Sequence, residues 1–466
     1  MSELPRGIQA LNQGASALRR SVSGEARSAL CGMGSCHECR DRQGVRTCLP
    51  MQPAPNSQAR RIETAIAVFG AGPAGIASAR AALASHQRVL LIDDNLQAGG
   101  QIWRGEGRAI PAGVEWLGGA SVLDAPSPHH VRLVSDNEHI DVHFERAVLC
   151  TGATERFLPF PGWTLPGVFG AGGLQALVKS GLAVAGKRVV LAGSGPLLLA
   201  VAALLQRRGA RVLCLLEQAP RSRVRSLIGA VWNRPGKLLQ AGQLFATLRG
   251  IPRHHEAWVL RAEGRERLES ITVRLSTGSG ARETRIECDA LAIGYGLVPR
   301  VRVAQALGCE LAGDRVRVDE RQTTSIGHIF AAGECTGIGG LGKALAEGEL
   351  AGRAAAGLAI EARHLRHVRE EQVFADALAR VYALDPLLRE LADPDTIVCR
   401  CEDVRLRDLD GLADWREARL QARVGMGPCQ GTVCAPALEF LRGYAARDPR
   451  APLSPVPLER LSHPPQ

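Results

Sequence analysis

Apolar positions along the chain fall in short, nearly unbroken runs, and glycine closes most of them. Ile66-Ala67-Val68-Phe69 leads into Gly70-Ala71-Gly72-Pro73-Ala74-Gly75, then a helix-like stretch, then Val89-Leu90-Leu91-Ile92 and Asp93. The order strand, glycine turn, helix, strand, acid is the dinucleotide-binding pattern. Gly70 permits the tight turn, Gly72 lets backbone approach a pyrophosphate, and Gly75 lets helix and strand pack closely. The helix start offers free N–H groups and a positive dipole end to the diphosphate. Asp93 is placed to accept hydrogen bonds from a ribose 2′-OH. Beyond it, the paired glycines of Gly99-Gly100-Gln101-Ile102 permit close backbone approach to a ligand.

The pattern recurs. Arg146 to Ala153 reads as a strand ending in Thr151-Gly152, and Pro159-Phe160-Pro161-Gly162-Trp163 as a rigid crossover. Arg188 to Ala192 opens a second unit, with the turn Gly193-Ser194-Gly195-Pro196-Leu197-Leu198, a strand Val212 to Leu216, and Glu217. Leu198 stands where the third glycine belongs and should push helix and strand apart, which leaves dinucleotide binding open there. If a nucleotide binds, Glu217 favours NAD over NADP by repelling a 2′-phosphate. Cys288 to Gly296 repeats strand-then-glycine, and Ile329 to Glu334 is an apolar strand ending in Gly333-Glu334. Gly339-Gly340 then precede a helical run, Leu341 to Leu358. The Glu334 carboxylate suits a ribityl hydroxyl, and the helix start suits a flavin carbonyl. Residues 1–30 lack period-2 alternation, and Ile8 to Arg20 reads as a short helix. Ile360 to Asp393 is charged and helical in pattern; Pro50 to Arg61 is a polar linker, and Pro452 to Gln466 a proline-rich tail expected to be disordered.

Composition narrows the class. With 466 residues, 45% hydrophobic, and 52 glycines, the chain suits several α/β domains. The net charge of +10 is carried by arginine, with Lys179, Lys187, Lys237 and Lys343 the four lysines. The arginines are scattered among acids without a basic block, which favours a solvated surface and anionic cofactors over nucleic acid. Arg6, Arg19 and Arg20 are followed by no apolar core, and the run Pro196 to Leu205 is too short to span a bilayer. The expectation is a soluble cytoplasmic protein, with peripheral docking on a membrane left open.

Of thirteen cysteines, Cys150, Cys214, Cys288, Cys309 and Cys335 are scattered and read as small core hydrophobes. The other eight form two groups of four. Cys31-x4-Cys36-x2-Cys39-x8-Cys48 has the spacing of plant-type [2Fe–2S] sites, with zinc as the alternative. Cys399-Arg400-Cys401 and Cys429-x4-Cys434 lie among glycine-rich turns and suit an iron–sulfur cluster, again with zinc second. No Ser/His/Asp set or paired carboxylates stand out, so hydrolysis is not supported.

Taken together, these motifs resemble a known family. The two interleaved dinucleotide halves and Gly333-Glu334 resemble the two-domain flavin disulfide-reductase superfamily. The Cys399-Arg400-Cys401…Cys429-x4-Cys434 end resembles the bacterioferritin-associated ferredoxin type of [2Fe–2S] domain. The string Thr151-Gly152-Ala153-Thr154-Glu155-Arg156, continuing through Phe160-Pro161-Gly162-Trp163-Thr164-Leu165-Pro166-Gly167-Val168, resembles the FAD-binding subunit of opine oxidases, hydrogen cyanide synthase and dye-linked proline or hydroxyproline dehydrogenases. The Cys31 to Cys39 stretch looks like the small ferredoxin-like subunit of the same complexes, fused and shortened.

The resemblance implies an α/β fold of two interleaved Rossmann-like domains. FAD binding is expected over 62–165 and 285–362, and an NAD(P)-type domain over 166–284. A truncated ferredoxin-like [2Fe–2S] segment at 1–58, a helical connector at 363–394, a small helical [2Fe–2S] domain at 395–447, and a tail at 448–466 complete the plan. It assigns Gly70, Gly72, Gly75, Asp93, Gly333 and Glu334 to FAD, with Pro73, Ala74, Gly100, Gln101, Thr151, Gly152 and Gly340 beside them. Gly193, Gly195 and Glu217 are left for NAD(H) or another adenine nucleotide. The partner implied is a D-amino-acid-oxidase-type flavoprotein that oxidises a C–N bond, and the electron acceptor is a quinone or similar. Disulfide reductases carry a redox cysteine pair beside the flavin; none follows Gly99-Gly100 or lies near Cys214, so dithiol chemistry is not expected. Two other readings stay open: a self-sufficient NADH:acceptor oxidoreductase, and a subunit whose second nucleotide site is structural and non-redox.

Overall fold

The computed structural model describes residues 4–40, 46–48, 60–105, 108–135, 138–231, 234–277, 280–445, 449–454 and 456. Most of the linker and of the proline-rich tail therefore lies outside the described residues. The chain divides into two units. One comprises Met51–Thr154, Val298–Asp376 and Arg447–Gln466; the other comprises Met1–Pro50, Glu155–Leu297 and Ala377–Ala446. The breaks thus fall after Thr154 and Leu297.

The unit beginning at Met51 is built on a seven-stranded sheet. Glu115–Gly118, Val89–Asp93, Arg60–Phe69 and His139–Leu149 run parallel, and Ile329–Ala331 adds beside His139–Leu149. Phe69 is level with both Ile92 and Leu149, and Leu149 is level with Ala331. The strand ends therefore share one edge, and the residues at or just beyond them (Gly70, Asp93, Thr151, Gly333) emerge there. Ile66 to Phe69 and Val89 to Asp93 are almost wholly buried, as expected of central strands covered on both faces. Helix Pro73–Ala82 carries proline in its first turn, where no N–H partner is lost.

The other unit holds a five-stranded parallel sheet in the order Val168–Gly170, Ala290–Tyr295, Arg188–Ser194, Arg211–Glu217, Arg253–His255. Cys288 to Gly296 therefore supplies an inner strand of this second sheet. Ala257–Glu263, Ser270–Thr277 and Gly280–Glu287 form a separate antiparallel sheet.

The amino-terminal helix is shorter than its pattern suggests. It covers Arg6–Asn12 and stops before Gly14, whose φ is +94°. Arg19–Arg20 is instead a strand paired antiparallel with Ala26–Arg27. That backbone pairing outcompetes a helical continuation, so this segment contains a small hairpin that residue alternation does not reveal. The charged stretch expected to be helical becomes helix Ala362–Val381 followed by a short 3-10 turn at Pro386–Glu390.

Candidate functional site

The first glycine turn is shaped by backbone contact. A Cβ on Gly75 would stand 1.7 Å from the Gly70 carbonyl oxygen, so the helix can start this close to the strand only with glycine there. A Cβ on Gly100 would stand 2.9 Å from the Gly72 Cα, which brings the Gly99-Gly100 turn against the first one. Gln101 lies just beyond, and its Oε1 is buried without a partner.

Asp93 is engaged by the chain on both oxygens. Its Oδ2 accepts from the Ala71 N–H at 2.6 Å, and its Oδ1 accepts from the Asn95 backbone and side-chain N–H groups at 2.8 Å. Burial, aided by the neighbouring Asp94 charge, pushes its carboxyl up to about 6, against those hydrogen bonds. Asp93 thus braces the glycine turn from within. The more exposed carboxylate at this strand end is Asp94, 30% exposed and 3.8 Å from Arg300. The doublet Asp93-Asp94 is the signal in the sequence that could have found it.

Across the same edge, Glu334 accepts from the Gly340 N–H at 2.7 Å and the Gly339 N–H at 3.4 Å through Oε1. Two N–H groups at the helix start are thus taken up by Glu334. Its other oxygen, Oε2, is buried with no partner, and burial raises the carboxyl above its usual range. Beneath it, Lys343 and Glu347 form a buried pair at 2.8 Å. Glu347 accepts from the Gly333 N–H and from Thr336 Oγ1, and Lys343 donates to Gly333 O and Thr336 Oγ1. The residue pattern does not single out this pair; its one signal is a Lys/Glu couple at i,i+4 in a helix of small residues. Thr151 Oγ1 donates to Arg300 O at 2.5 Å, and Gly152, at φ +71°, accepts from the Arg300 N–H. A flavin fits this edge: two orphaned buried acceptors, Gln101 Oε1 and Glu334 Oε2, await hydroxyl or N–H donors, and a glycine cradle faces the diphosphate position.

The second glycine turn is closed by its own chain. Gly193 approaches Gly294, and Glu217 accepts from the Gly195 and Ala219 N–H groups at 2.8 and 2.9 Å. Burial pushes Glu217 up to about 7 against those bonds. The strap Tyr382-Ala383-Leu384-Asp385 lies on this turn. Ser194 Oγ donates to Tyr382 O, Gln218 Nε2 to Ala383 O, and the Asp385 N–H to Gln218 Oε1. The nearest heavy atom to a Cβ on Gly195 would be in the Tyr382 ring, 4.0 Å away.

Both cysteine groups lie in the unit that carries this second turn, and all eight thiols are free and buried. Backbone N–H groups of Met33 and Cys36 both reach Cys31 Sγ at 3.3 Å. Thiol hydrogen bonds pair Cys31 with Cys36 and Cys39 with Cys48; the first pulls Cys31 down to about 5, and the second lowers Cys48. In the other group Cys399 pairs with Cys434 and falls to about 7, and Cys429 is lowered by Cys401. N–H groups of Gly425 and Glu402 support Cys399, and those of Val433 and Gly431 support Cys429. Among the described residues no group of three or more Cys, His, Asp or Glu side chains is arranged to hold a single metal ion. Four soft donors with backbone N–H groups aimed at sulfur fit a four-thiolate cluster. The five scattered cysteines are buried, and burial raises every one of their thiols.

Outside these sites, Glu155 is buried, accepts from the Gly172 and Gly173 N–H groups, and is pushed up by burial to about 7. It braces a helix start that the sequence pattern does not connect to it. No helix among the described residues is long and apolar enough to cross a membrane.

Parallel strands whose ends carry a glycine cradle and a Gly-Glu turn mark a dinucleotide-binding flavin oxidoreductase. Residues 64–356 match the pyridine nucleotide-disulphide oxidoreductase family, and the chain belongs to it. It is 31% identical to hydrogen cyanide synthase subunit HcnB of Pseudomonas protegens over 84% of this chain and 96% of that one. It is 32% identical to an opine oxidase subunit of Agrobacterium tumefaciens over 85% and 91%. Its fold is like that of L-proline dehydrogenase from P. horikoshii, with a TM-score of 0.66 at 18% identity over 99% and 94% of the two chains.

Proposed function

We propose that this chain is the electron-transfer subunit of a complex that oxidises the C–N bond of an amino acid, imino acid or opine, such as D-hydroxyproline or proline. The likeness to subunits of hydrogen cyanide synthase and opine oxidase over more than four-fifths of the chain carries the reading. The amine would be oxidised on a separate D-amino-acid-oxidase-type flavoprotein, and the electrons would leave to a quinone-type acceptor. A bound flavin supplies a two-electron store, and [2Fe–2S] clusters supply one-electron carriers. The Gly70–Gly75 turn would hold the FAD diphosphate, Asp94 the adenosine ribose, and Glu334 a ribityl hydroxyl. Cys399, Cys401, Cys429 and Cys434 would hold one cluster, and Cys31, Cys36, Cys39 and Cys48 a second. The Tyr382 strap and Leu198 weigh against the NADH reductase reading.

The purified chain should contain FAD, iron and sulfide, yet turn over none of these amines with a dye acceptor. Turnover should appear when its amine-oxidising partner is added. Full activity of the chain alone would defeat the subunit reading; zinc in place of iron would defeat the cluster assignment.

A further inference from the structure

The two cysteine loops are separated by more than three hundred residues, yet one ion pair joins them. Glu38, between Cys36 and Cys39, meets Arg400, between Cys399 and Cys401, at 2.7 Å, with side chains 1% and 2% exposed. Arg19 closes the join: its Nε reaches the other Glu38 oxygen at 2.8 Å, and its Nη2 donates to Arg400 O at 3.3 Å. Arg400 also donates to Trp163 O at 3.1 Å and lies 5.1 Å above the Trp163 ring, whose Nε1 donates to Ile397 O. A second pair, Arg27 to Asp403 at 2.6 Å, pins the amino-terminal hairpin to the same carboxy-terminal loop. One apolar cluster runs from Leu30, Cys31 and Cys36 through Trp163 to Val398, Cys399 and Cys434.

A buried ion pair is a poor device for stability alone, because apolar packing of the same volume often serves as well or better. What it does supply is register. Arg400 is flanked by Cys399 and Cys401, and Glu38 directly precedes Cys39, so the pair fixes one cysteine loop against the other. The amino-terminal cysteine loop is thus held against the carboxy-terminal one.

We propose that the Glu38–Arg400 pair mates the two cysteine loops into one redox unit, so that an electron passes directly between their two clusters. Glu38 and Arg400 are positioning residues in this scheme. The inference rests on the cluster reading above. In the step, one electron leaves a reduced cluster and enters an oxidised one; no bond breaks and no proton moves.

The test is EPR of the full chain reduced with dithionite, alongside iron and sulfide analysis. Cys48→Ser and Cys434→Ser, each left with one cluster, supply reference spectra. The fully reduced wild type should depart from the sum of those two, through spin–spin splitting or faster relaxation. Arg400→Gln and the near-isosteric Glu38→Gln should keep their iron and lose the splitting. A wild-type spectrum equal to the sum, with both clusters present, overturns the mating while leaving the cluster reading intact. A chain carrying one cluster or none overturns both. The wild-type comparison decides even where Arg400→Gln or Glu38→Gln fails to fold.

Discussion

The molecule carries the same glycine turn twice, and the two copies have diverged in what surrounds them. In both, an acid at the end of the second strand accepts from a turn N–H: Asp93 from Ala71, Glu217 from Gly195. In both, burial raises that acid. The difference lies above the turn. The first has Gly75 at the helix contact, a second glycine pair against Gly72, and two buried acceptors without partners. The second has Leu198 at that position and backbone from Tyr382 to Asp385 bound across its mouth. A turn fingerprint therefore records a fold; whether it binds is decided by what lies across its mouth.

The largest effect expected from this contrast comes from making the first turn like the second. Gly75→Leu places side-chain carbon against the Gly70 carbonyl, where a Cβ alone would stand 1.7 Å away. The purified variant should carry no flavin, read from its visible absorbance, whereas Leu198→Gly should leave flavin content unchanged. Retained flavin in the first variant would show that the cradle is not the diphosphate site.

Next is the pH dependence of the second turn. Burial lifts Glu217 from 4.5 to about 7, so the folded chain holds this proton more tightly than the unfolded chain does. The stabilisation is complete below pH 4.5 and is lost as pH rises through 7. Its size is on the order of 2–3 kcal/mol, the lower end allowing for the partial exposure of the side chain. Glu217→Gln lacks this titration, so the thermal midpoint of wild type relative to the variant should fall between about pH 5 and pH 8. Parallel midpoints across that range would exclude the effect.

A smaller effect belongs to the flavin side. Removing a hydrogen bond to a charged group costs about 1.5–3 kcal/mol, which is roughly a tenfold to hundredfold loss of affinity. Glu334→Ala should weaken FAD by that much when the flavin-free protein is titrated by fluorescence. Glu217→Ala should not.

Much of this was legible in the residues because it rests on short-range rules. The apolar runs point to the parallel strands of both sheets, and glycine spacing locates both turns. Cysteine spacing marks two groups of four, and the fold brings their sulfurs together in pairs. What escaped depends on contacts distant in sequence. Nothing near Asp93 reveals that its oxygens are taken up by Ala71 and Asn95, with Asp94 the more exposed acid just beyond the strand. Lys343 and Glu347 look like a surface pair until the helix is packed, and Glu38 and Arg400 meet across 362 positions. The hairpin at Arg19–Arg20 and Ala26–Arg27 is too short to show alternation.

The smallest effect expected is none at all, and it bears most directly on the contrast. A nicotinamide site needs the Gly195 region free to receive a diphosphate and an acid free to receive a ribose. Glu217 already accepts from Gly195 and Ala219, and the Tyr382 and Ala383 carbonyls are engaged by Ser194 and Gln218. NADH must displace these contacts and still meet Leu198 where glycine would let helix and strand approach. Mixing the oxidised holoprotein with excess NADH in a stopped-flow instrument should leave the flavin absorbance unchanged. Tyr382→Ala should leave it unchanged too, because the ring is one of several obstacles and the backbone strap remains. Rapid bleaching in the wild type would put the second turn on a level with the first. Bleaching confined to the variant would make the Tyr382 ring alone responsible for the difference between them.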